Sequence, residues 1–216
     1  MSPPLLPRGL YALCDDTLGL ALPVPEQAAR LLEGGARVLQ LRLKRTSMRE
    51  ALPLAREVVE RASAHGALCL INDRVDLCLV AGAHGVHLGD EDLPVADARR
   101  VLGARAVIGA TVRDAAGAQE ARAQGADYVG MGPIWATTTK QVPAPVLGPA
   151  AFAAQVALSP LPVVGIGGIT LARIGEVARA GAHCAAVLSD PLTADDVAAR
   201  TAALCEAFAA GEGGLR

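Results

Sequence analysis

Residues 31–44, LLEGGARVLQLRLK, pass from the end of a helical pattern through a Gly-Gly pair into a short hydrophobic run. Glycine after a helix supplies the left-handed conformation that ends it, and a Val/Leu-rich run of this length is typical of a buried parallel strand. The same order recurs in RASAHGALCLIND (61–73), LVAGAHGVHLG (79–89), ARAQGADYVGMG (121–132) and ARAGAHCAAVLSD (178–190). The repetition indicates a chain in which helices and strands alternate.

Three further runs, LYALCDD (10–16), AVIGATV (106–112) and PVVGIGGI (162–169), bring the strands to eight. Helical patterns cover roughly 25–34, 47–65, 74–81, 94–102, 114–124, 148–158, 170–180 and 193–210, and Ser47 with Glu50 forms a capping-box signal. This alternation predicts an α/β fold, a (β/α)8 TIM barrel, as a single domain over residues 1–216. An open doubly wound sheet is less favoured, because no GxGxxG follows the first strand.

The composition sets limits on the core and on the partners. The chain is 52% hydrophobic but 2% aromatic, which predicts a core of Ala, Val, Leu and Ile. A net charge of −2 and the lack of a basic tract argue against nucleic-acid or membrane-surface partners, and no apolar run is long enough to span a membrane. We expect no signal peptide, and the five scattered cysteines resemble buried hydrophobes of a reducing compartment, so a cytoplasmic protein is predicted. The sequence is compatible with a homo-oligomer.

Two residue types are scarce, and their positions point to one end of the predicted barrel. The chain has only two lysines, Lys44 and Lys140, and one asparagine, Asn72, and each follows a predicted strand. The other 18 basic side chains are arginines, so a retained lysine indicates a place that needs a compact, flexible charge. Active sites of these barrels are built from the loops that follow the strands. We therefore expect all three residues in the active site.

The ends of strands 2, 3 and 4 carry polar side chains with a recognisable chemistry. Gln40, Arg42 and Lys44 alternate along strand 2, which directs all three toward the barrel mouth. Asp73 follows strand 3 and Asp92 follows strand 4. Two carboxylates, completed by water and substrate phosphate oxygens, are typical of Mg²⁺. Asp92 taken alone would instead be the N-cap of the next helix; its pairing with Asp73 favours the metal.

The ends of strands 6, 7 and 8 carry groups suited to a phosphate. A loop with Thr137, Thr139 and Lys140 follows strand 6, Gly168 follows strand 7, and Leu188-Ser189 follows strand 8. Loops after strands 7 and 8, with a helix N-terminus, are a recurrent phosphate site in barrels. The mouth would then hold a metal-assisted site for a pyrophosphate group and a separate one for a monophosphate. This arrangement predicts an enzyme that joins two phosphorylated small molecules with loss of pyrophosphate.

Six motifs together resemble the family of thiamine-phosphate synthases and thiazole tautomerases: QLRLK (40–44), INDR (71–74), GVHLGDEDLP (85–94), DYVGMGPIWATTTK (127–140), LG (147–148) and VVGIGGI (163–169). The resemblance covers nearly the whole chain. It implies a transferase that couples 4-amino-5-hydroxymethyl-2-methylpyrimidine diphosphate with a hydroxyethylthiazole phosphate (carboxylate). The products would be thiamine phosphate and pyrophosphate, formed by a dissociative mechanism through a carbocation with Mg²⁺ as cofactor.

The resemblance also implies a role for each residue that matches a motif. The pyrimidine diphosphate would contact Gln40, Arg42, Lys44, Asn72, Thr111 and Lys140, of which Arg42, Lys44, Lys140 and Thr111 would be catalytic. Asp73 and Asp92 would bind Mg²⁺. The thiazole phosphate would contact Thr137, Thr139, Gly168, Leu188 and Ser189.

Three positions depart from the family pattern. Thr111 replaces a serine and keeps its hydroxyl, Arg113 replaces a frequent histidine, and Ala136 replaces a loop proline. The tautomerase branch uses a histidine in that region for proton transfer, so Arg113 weakens the hypothesis of a thiazole tautomerase-like isomerase. A non-catalytic thiamine-phosphate-binding regulator is a second competing hypothesis. A generic sugar-phosphate isomerase barrel is a third, and QLRLK and TTTK argue against it.

Overall fold

The computed structural model describes residues 6–137 and 145–213. Eight parallel strands follow one another in chain order and close into a barrel, with β1 paired to both β2 and β8. The strands are β1 Gly9–Asp15, β2 Val38–Arg42, β3 Leu68–Asn72, β4 Gly85–Leu88, β5 Val107–Val112, β6 Tyr128–Met131, β7 Val163–Gly165 and β8 Cys184–Val187. The predicted (β/α)8 barrel is confirmed, and the closure of β1 on β8 excludes the open sheet.

The helices alternate with the strands and cover the outside of the barrel. They are α1 Val24–Glu33, α2 Met48–Ala64, α3 Val75–Ala81, α4 Val95–Leu102, α5 Ala115–Ala123, α6 Pro149–Leu158, α7 Ile174–Arg179, α8 Ser189–Leu192 and α9 Val197–Gly213. The Ser47 hydroxyl accepts a hydrogen bond from the backbone N–H of Glu50, as its capping signal predicts. Gly82 ends α3 in the left-handed conformation, at φ 70°. The four-residue α8 was not predicted, because one turn is too short to show helical periodicity.

The core has two parts that differ in composition. Between strands and helices it is largely aliphatic, as predicted, with Leu39 and Leu41 of β2 among its members. Inside the barrel, however, both tyrosines of the chain, Tyr11 and Tyr128, are fully buried. The barrel interior is otherwise mostly aliphatic, with Val38, Leu70 and Val164 among its members, so the two buried tyrosines are exceptions to the predicted aliphatic core.

The cysteines are buried, as their positions in apolar runs predict. Four of the five are buried and the fifth is partly buried, and all five are free thiols. Burial raises the pKa of the Cys69, Cys78 and Cys184 thiols to about 12, so these side chains behave as small hydrophobes. Among the helices described, none has the length and apolar character needed to cross a membrane.

Candidate active site

A cavity of about 810 Å³ opens at the carboxyl ends of the barrel strands. Its volume lies within the range usual for small-molecule sites. Every predicted site residue within the described part of the chain lines it: Gln40, Arg42, Lys44, Asn72, Asp73, Asp92, Thr111, Thr137, Gly168, Leu188 and Ser189. Thr139 and Lys140 lie outside the described residues. The structure thus brings the described residues of both predicted sites to one cavity.

β2 presents its polar side chains to this cavity because of its period of two. Gln40 and Arg42 face inward, whereas Leu39 and Leu41 pack against the helices. The Arg42 guanidinium forms an ion pair with the buried carboxylate of Asp15 at the end of β1. This pairing fixes the position of the Arg42 guanidinium at the cavity wall.

Two aspartates at the end of β1 shape this side of the cavity, and neither role was predicted from the sequence. Asp15 accepts hydrogen bonds from the backbone N–H of Thr17 at 2.6 Å and of Leu18 at 3.0 Å, in addition to Arg42. Asp16 accepts from the backbone N–H groups of Lys44, Arg45 and Thr46, each at 2.8 Å. The adjacent acidic pair in LYALCDD is the signal that could have indicated them.

Asp16 therefore holds the loop that carries Lys44. Burial of Asp16 acts to raise the pKa of its carboxyl, but the hydrogen bonds from Lys44, Arg45 and Thr46 outweigh this and leave the pKa below its ordinary value. The ionised form of Asp16 is consequently the one that stabilises this loop.

Asp73 and Asp92 meet at the cavity, at the ends of neighbouring strands. Burial and the hydrogen-bonded carboxyl of Asp73 raise the pKa of Asp92 above its ordinary value. The Lys44 ammonium forms an ion pair with Asp73. Asp73 has a left-handed backbone at φ 63°, which is uncommon outside glycine and is tolerated by Asp and Asn. Such conformations concentrate at functional sites.

Asp92 does not act as a helix cap. Its carboxylate accepts a hydrogen bond from the backbone N–H of Gly89 at 2.6 Å, within the loop after β4. The residue before α4 is Pro94, and no side chain caps that helix. Asp92 is therefore held inside the loop beside Asp73, and the N-cap role considered for it is wrong.

The carboxylates suit a divalent cation that keeps other ligands. The described residues contain no group of three or more His, Cys, Asp or Glu side chains placed to hold a metal. Two converging carboxylates are, however, what Mg²⁺ usually receives from a protein when substrate phosphates and water complete its shell. The described lining also contains more carboxylates than cations, so a bound cation would offset the excess negative charge. The cations are Arg42, Lys44 and Arg113, and the four carboxylates are Asp73, Asp90, Glu91 and Asp92.

The loops after β6 and β7 are built against each other. The backbone N–H of Ile134 donates to Ile166 at 2.9 Å and that of Trp135 donates to Gly167 at 3.1 Å. Gly168 lies directly under this pairing, and a Cβ on it would come within 2.6 Å of the Ala136 carbonyl oxygen. Gly168 also has φ 66°, a left-handed conformation that favours glycine. Both the lack of space for a Cβ and the backbone conformation therefore require glycine here.

Arg173 contacts both of these loops. Its guanidinium donates to the carbonyl of Gly168 at 2.8 Å and lies over the Trp135 ring, 5.2 Å from the ring centroid. On the other side of the cavity edge, Leu188 and Ser189 lie where β8 ends and α8 begins. In its described part, the predicted monophosphate end of the cavity is thus formed by loops that hydrogen bonds join to each other.

The chain matches a known protein family over most of its length. A family model described as thiamine monophosphate synthase matches residues 10–190. The chain belongs to the thiamine monophosphate synthase family. The predicted family and the predicted enzyme class, a transferase, are confirmed.

Two relatives and one solved structure agree with this membership. The chain is 59% identical to the thiamine-phosphate synthase of Myxococcus xanthus (strain DK1622), covering 99% of this chain and 98% of that protein. It is 47% identical to the thiamine-phosphate synthase of Anaeromyxobacter dehalogenans (strain 2CP-C), covering 94% and 89%. The structure of a thiamine phosphate pyrophosphorylase from Pyrococcus furiosus matches with a TM-score of 0.84 and 33% identity, over 94% of this chain and 96% of that one.

The structure shows the surroundings of Arg113, one of the three positions that depart from the family pattern. Arg113 lines the cavity, where its guanidinium donates to the carbonyl of Gly132 at 3.2 Å and lies 3.8 Å from the Asp90 carboxylate. The replacement thus adds a third described cation to the wall of the cavity. A guanidinium has five N–H donors and no acceptor, so Arg113 presents only hydrogen-bond donors to the cavity.

Proposed function

We propose that this chain couples 4-amino-5-hydroxymethyl-2-methylpyrimidine diphosphate with a hydroxyethylthiazole phosphate, carboxylated or plain, to give thiamine phosphate and pyrophosphate, with release of CO2 when the thiazole is carboxylated. The observation that carries the proposal is the shared cavity, to which both the basic, carboxylate-bearing end and the glycine-loop end contribute. Family membership and relatives named thiamine-phosphate synthase support the same reaction.

The diphosphate would bind at the basic end. Arg42 and Lys44 are presented there by β2 and its following loop, and Asn72 ends the neighbouring strand. A guanidinium binds phosphate oxygens through two parallel hydrogen bonds, whereas an ammonium provides a compact charge. Lys140 is proposed to add a second ammonium from the loop after β6.

Asp73 and Asp92 would hold Mg²⁺ at this end. When bound, the metal would supply positive charge that stabilises the departing pyrophosphate. The Lys44 ammonium, which is paired with Asp73, would face the same developing negative charge. The protein groups are therefore arranged for an anion that leaves, and such prearranged charge is a large contribution to catalysis.

The thiazole monophosphate would bind at the opposite end, with backbone N–H groups near Gly168 and Ser189 as donors. Thr137 and Thr139 would add hydroxyl donors and Leu188 an apolar wall. The hydrogen bonds that join the loops after β6 and β7 support this assignment, because they keep the glycine loop in one conformation. The two substrates would then be held with the reacting atoms facing each other.

The coupling we propose is dissociative. The C–O bond between the pyrimidine methylene and the diphosphate breaks, and its electron pair leaves with pyrophosphate. The amino group of the pyrimidine stabilises the resulting carbocation, and the thiazole nitrogen then donates its lone pair to form the C–N bond. The protein supplies charge and orientation, and neither step needs a side chain to remove a proton.

The test is an assay in which each component is omitted in turn. With both substrates and Mg²⁺ we expect thiamine phosphate, and with either substrate missing, or with excess EDTA, none. Interconversion of thiazole isomers without the pyrimidine diphosphate would favour the isomerase. Tight binding of thiamine phosphate without any turnover would favour the regulator.

A further inference from the structure

A continuous row of polar side chains crosses the interior of the barrel. Gln40 of β2 donates its amide N–H to the Tyr11 hydroxyl of β1 at 2.9 Å, and Tyr11 contacts the Tyr128 hydroxyl of β6 at 2.9 Å. The Tyr128 hydroxyl lies 3.0 Å from Nδ1 of His87 of β4, whose Nε2 lies 3.0 Å from the Thr111 hydroxyl of β5. We refer to these five residues as the interior relay.

One direction of donation through the interior relay runs from Gln40 to Thr111. With Gln40 donating to the Tyr11 oxygen, the Tyr11 hydrogen is available for the Tyr128 oxygen. Tyr128 would then donate to Nδ1 of His87, and the His87 proton would be on Nε2, facing Thr111. In this direction the Thr111 hydroxyl, which lines the cavity, would keep its own hydrogen for another acceptor.

The packing of the barrel is adapted to this row. An added Cβ on Gly109 of β5 would lie 2.0 Å from the Tyr128 ring, and one on Gly130 of β6 would lie 2.9 Å from the His87 ring. The rings of His87 and Tyr128 are stacked with centroids 5.5 Å apart. Within the described part of the chain, no buried side-chain nitrogen or oxygen lacks a hydrogen-bond partner. Two glycines inside strands thus make room for a fully satisfied polar network.

We propose that His87 is a positioning residue for the coupling reaction, held as its neutral Nε2–H tautomer by the interior relay, and that it fixes the Thr111 hydroxyl as a hydrogen-bond donor to the substrate. The inference rests on the proposed function, since the aminopyrimidine ring supplies the acceptor through a ring nitrogen. His87 also lines the cavity, and the role proposed for it is to orient Thr111. Both phenols remain neutral at ordinary pH, because burial raises the pKa of Tyr11 and of Tyr128 above its usual value, so the relay keeps its hydrogens.

Two conservative substitutions test the roles of the two ring nitrogens of His87 separately. In His87→Gln the terminal amide nitrogen takes the place of Nε2 and still donates to Thr111. In His87→Asn the shorter side chain provides an acceptor near Nδ1 for Tyr128 but does not reach Thr111. We expect kcat of His87→Gln within about threefold of the wild type, and kcat of His87→Asn to fall about 10- to 100-fold, the usual loss when an orienting partner is removed. The KM for the thiazole phosphate should stay unchanged, and His65→Asn, at the exposed end of α2, is the matched control.

A double-mutant cycle tests whether His87 acts through Thr111. In a Thr111→Val background, which keeps the shape but removes the hydroxyl, His87→Asn should cause little further loss of kcat. Equal kcat for His87→Gln and His87→Asn, or full additivity with Thr111→Val, would overturn the proposal, because both results describe a merely structural histidine.

The tautomer can be measured without substrates. In the ligand-free ¹⁵N-labelled protein, the nitrogen shifts of His87, assigned by their loss in His87→Gln, should show a protonated Nε2 and an unprotonated Nδ1. A protonated Nδ1 would reverse the relay and refute the proposal. Absence of turnover in the wild-type protein would refute the proposed function instead, and the nitrogen shifts would still decide the direction of the relay.

Discussion

Gly168→Ala is expected to damage one substrate site and the stability of the two loops that form it. Gly168 has φ 66°, where an alanine costs about 1–2 kcal/mol. The new Cβ would also lie 2.6 Å from the Ala136 carbonyl oxygen and 2.8 Å from Trp135 Cβ. Relieving this overlap requires the loops to separate, and overpacking of this kind costs about 1–3 kcal/mol. We therefore expect the free energy of unfolding to fall by about 2–5 kcal/mol.

The functional effect follows from the same displacement. Each N–H bond to a phosphate that is lost costs about 1.5–3 kcal/mol, so the KM for the thiazole phosphate should rise at least about tenfold. The KM for the pyrimidine diphosphate should change little, since its proposed ligands lie on other strands. Urea unfolding and steady-state kinetics with each substrate varied in turn measure both quantities.

Gly82→Ala is the matched control for the backbone strain. Gly82 has φ 70°, but a Cβ there would have no atom within 4 Å, and the residue does not line the cavity. The free energy of unfolding of Gly82→Ala should fall only by the cost of the left-handed conformation, about 1–2 kcal/mol, and the KM values should not change. Equal loss of stability in the two variants, or an equal rise in both KM values for Gly168→Ala, would refute this explanation.

Three further predictions concern the basic end. Asp73→Asn should fold, because asparagine also tolerates φ 63°, and should lose most activity with partial rescue at high Mg²⁺ or Mn²⁺; wild-type activity unaffected by EDTA would contradict the metal site. Asp16 has a pKa lowered in the folded state, so its stabilisation is present above about pH 4 and lost as the pH falls through that lowered pKa. When the free energy of unfolding is plotted against pH, Asp16→Asn should accordingly have a smaller slope than the wild type on the acid side. An unchanged slope would contradict the role of Asp16. Lys140→Arg and Lys140→Ala should both lower kcat about 10²–10³-fold with thiazole-phosphate binding nearly intact, and a fast Lys140→Arg enzyme would show that the compact ammonium is not needed.

Local sequence patterns were sufficient to predict the barrel. A glycine that ends a helix and a short Val/Leu run that follows it are both nearest-neighbour signals, so the eight strands could be identified. The alternation of Gln40, Arg42 and Lys44 could likewise be assigned to one face, since the period of a strand is fixed. The lining of the cavity by these residues needed no more than the rule that parallel strands end at the same edge.

The interior relay could not be predicted in this way. Tyr11 and Tyr128 belong to strands that are not neighbours in the barrel, and their contact depends on its closure and stagger. Composition alone predicted an aliphatic interior, because two tyrosines in 216 residues carry almost no weight in an average. The ion pair of Asp15 with Arg42 was missed for a similar reason, since the acidic pair in LYALCDD marks Asp15 but does not identify its partner on the next strand.

The most direct test of the central claim is the ratio of products in a single reaction of the wild-type protein. Thiamine phosphate, pyrophosphate and orthophosphate would be quantified together at several times, with both substrates and Mg²⁺ present. We predict thiamine phosphate and pyrophosphate in a one-to-one ratio, with no orthophosphate. Release of orthophosphate in place of pyrophosphate, or of pyrophosphate without thiamine phosphate, would contradict the coupling of two substrates in this cavity.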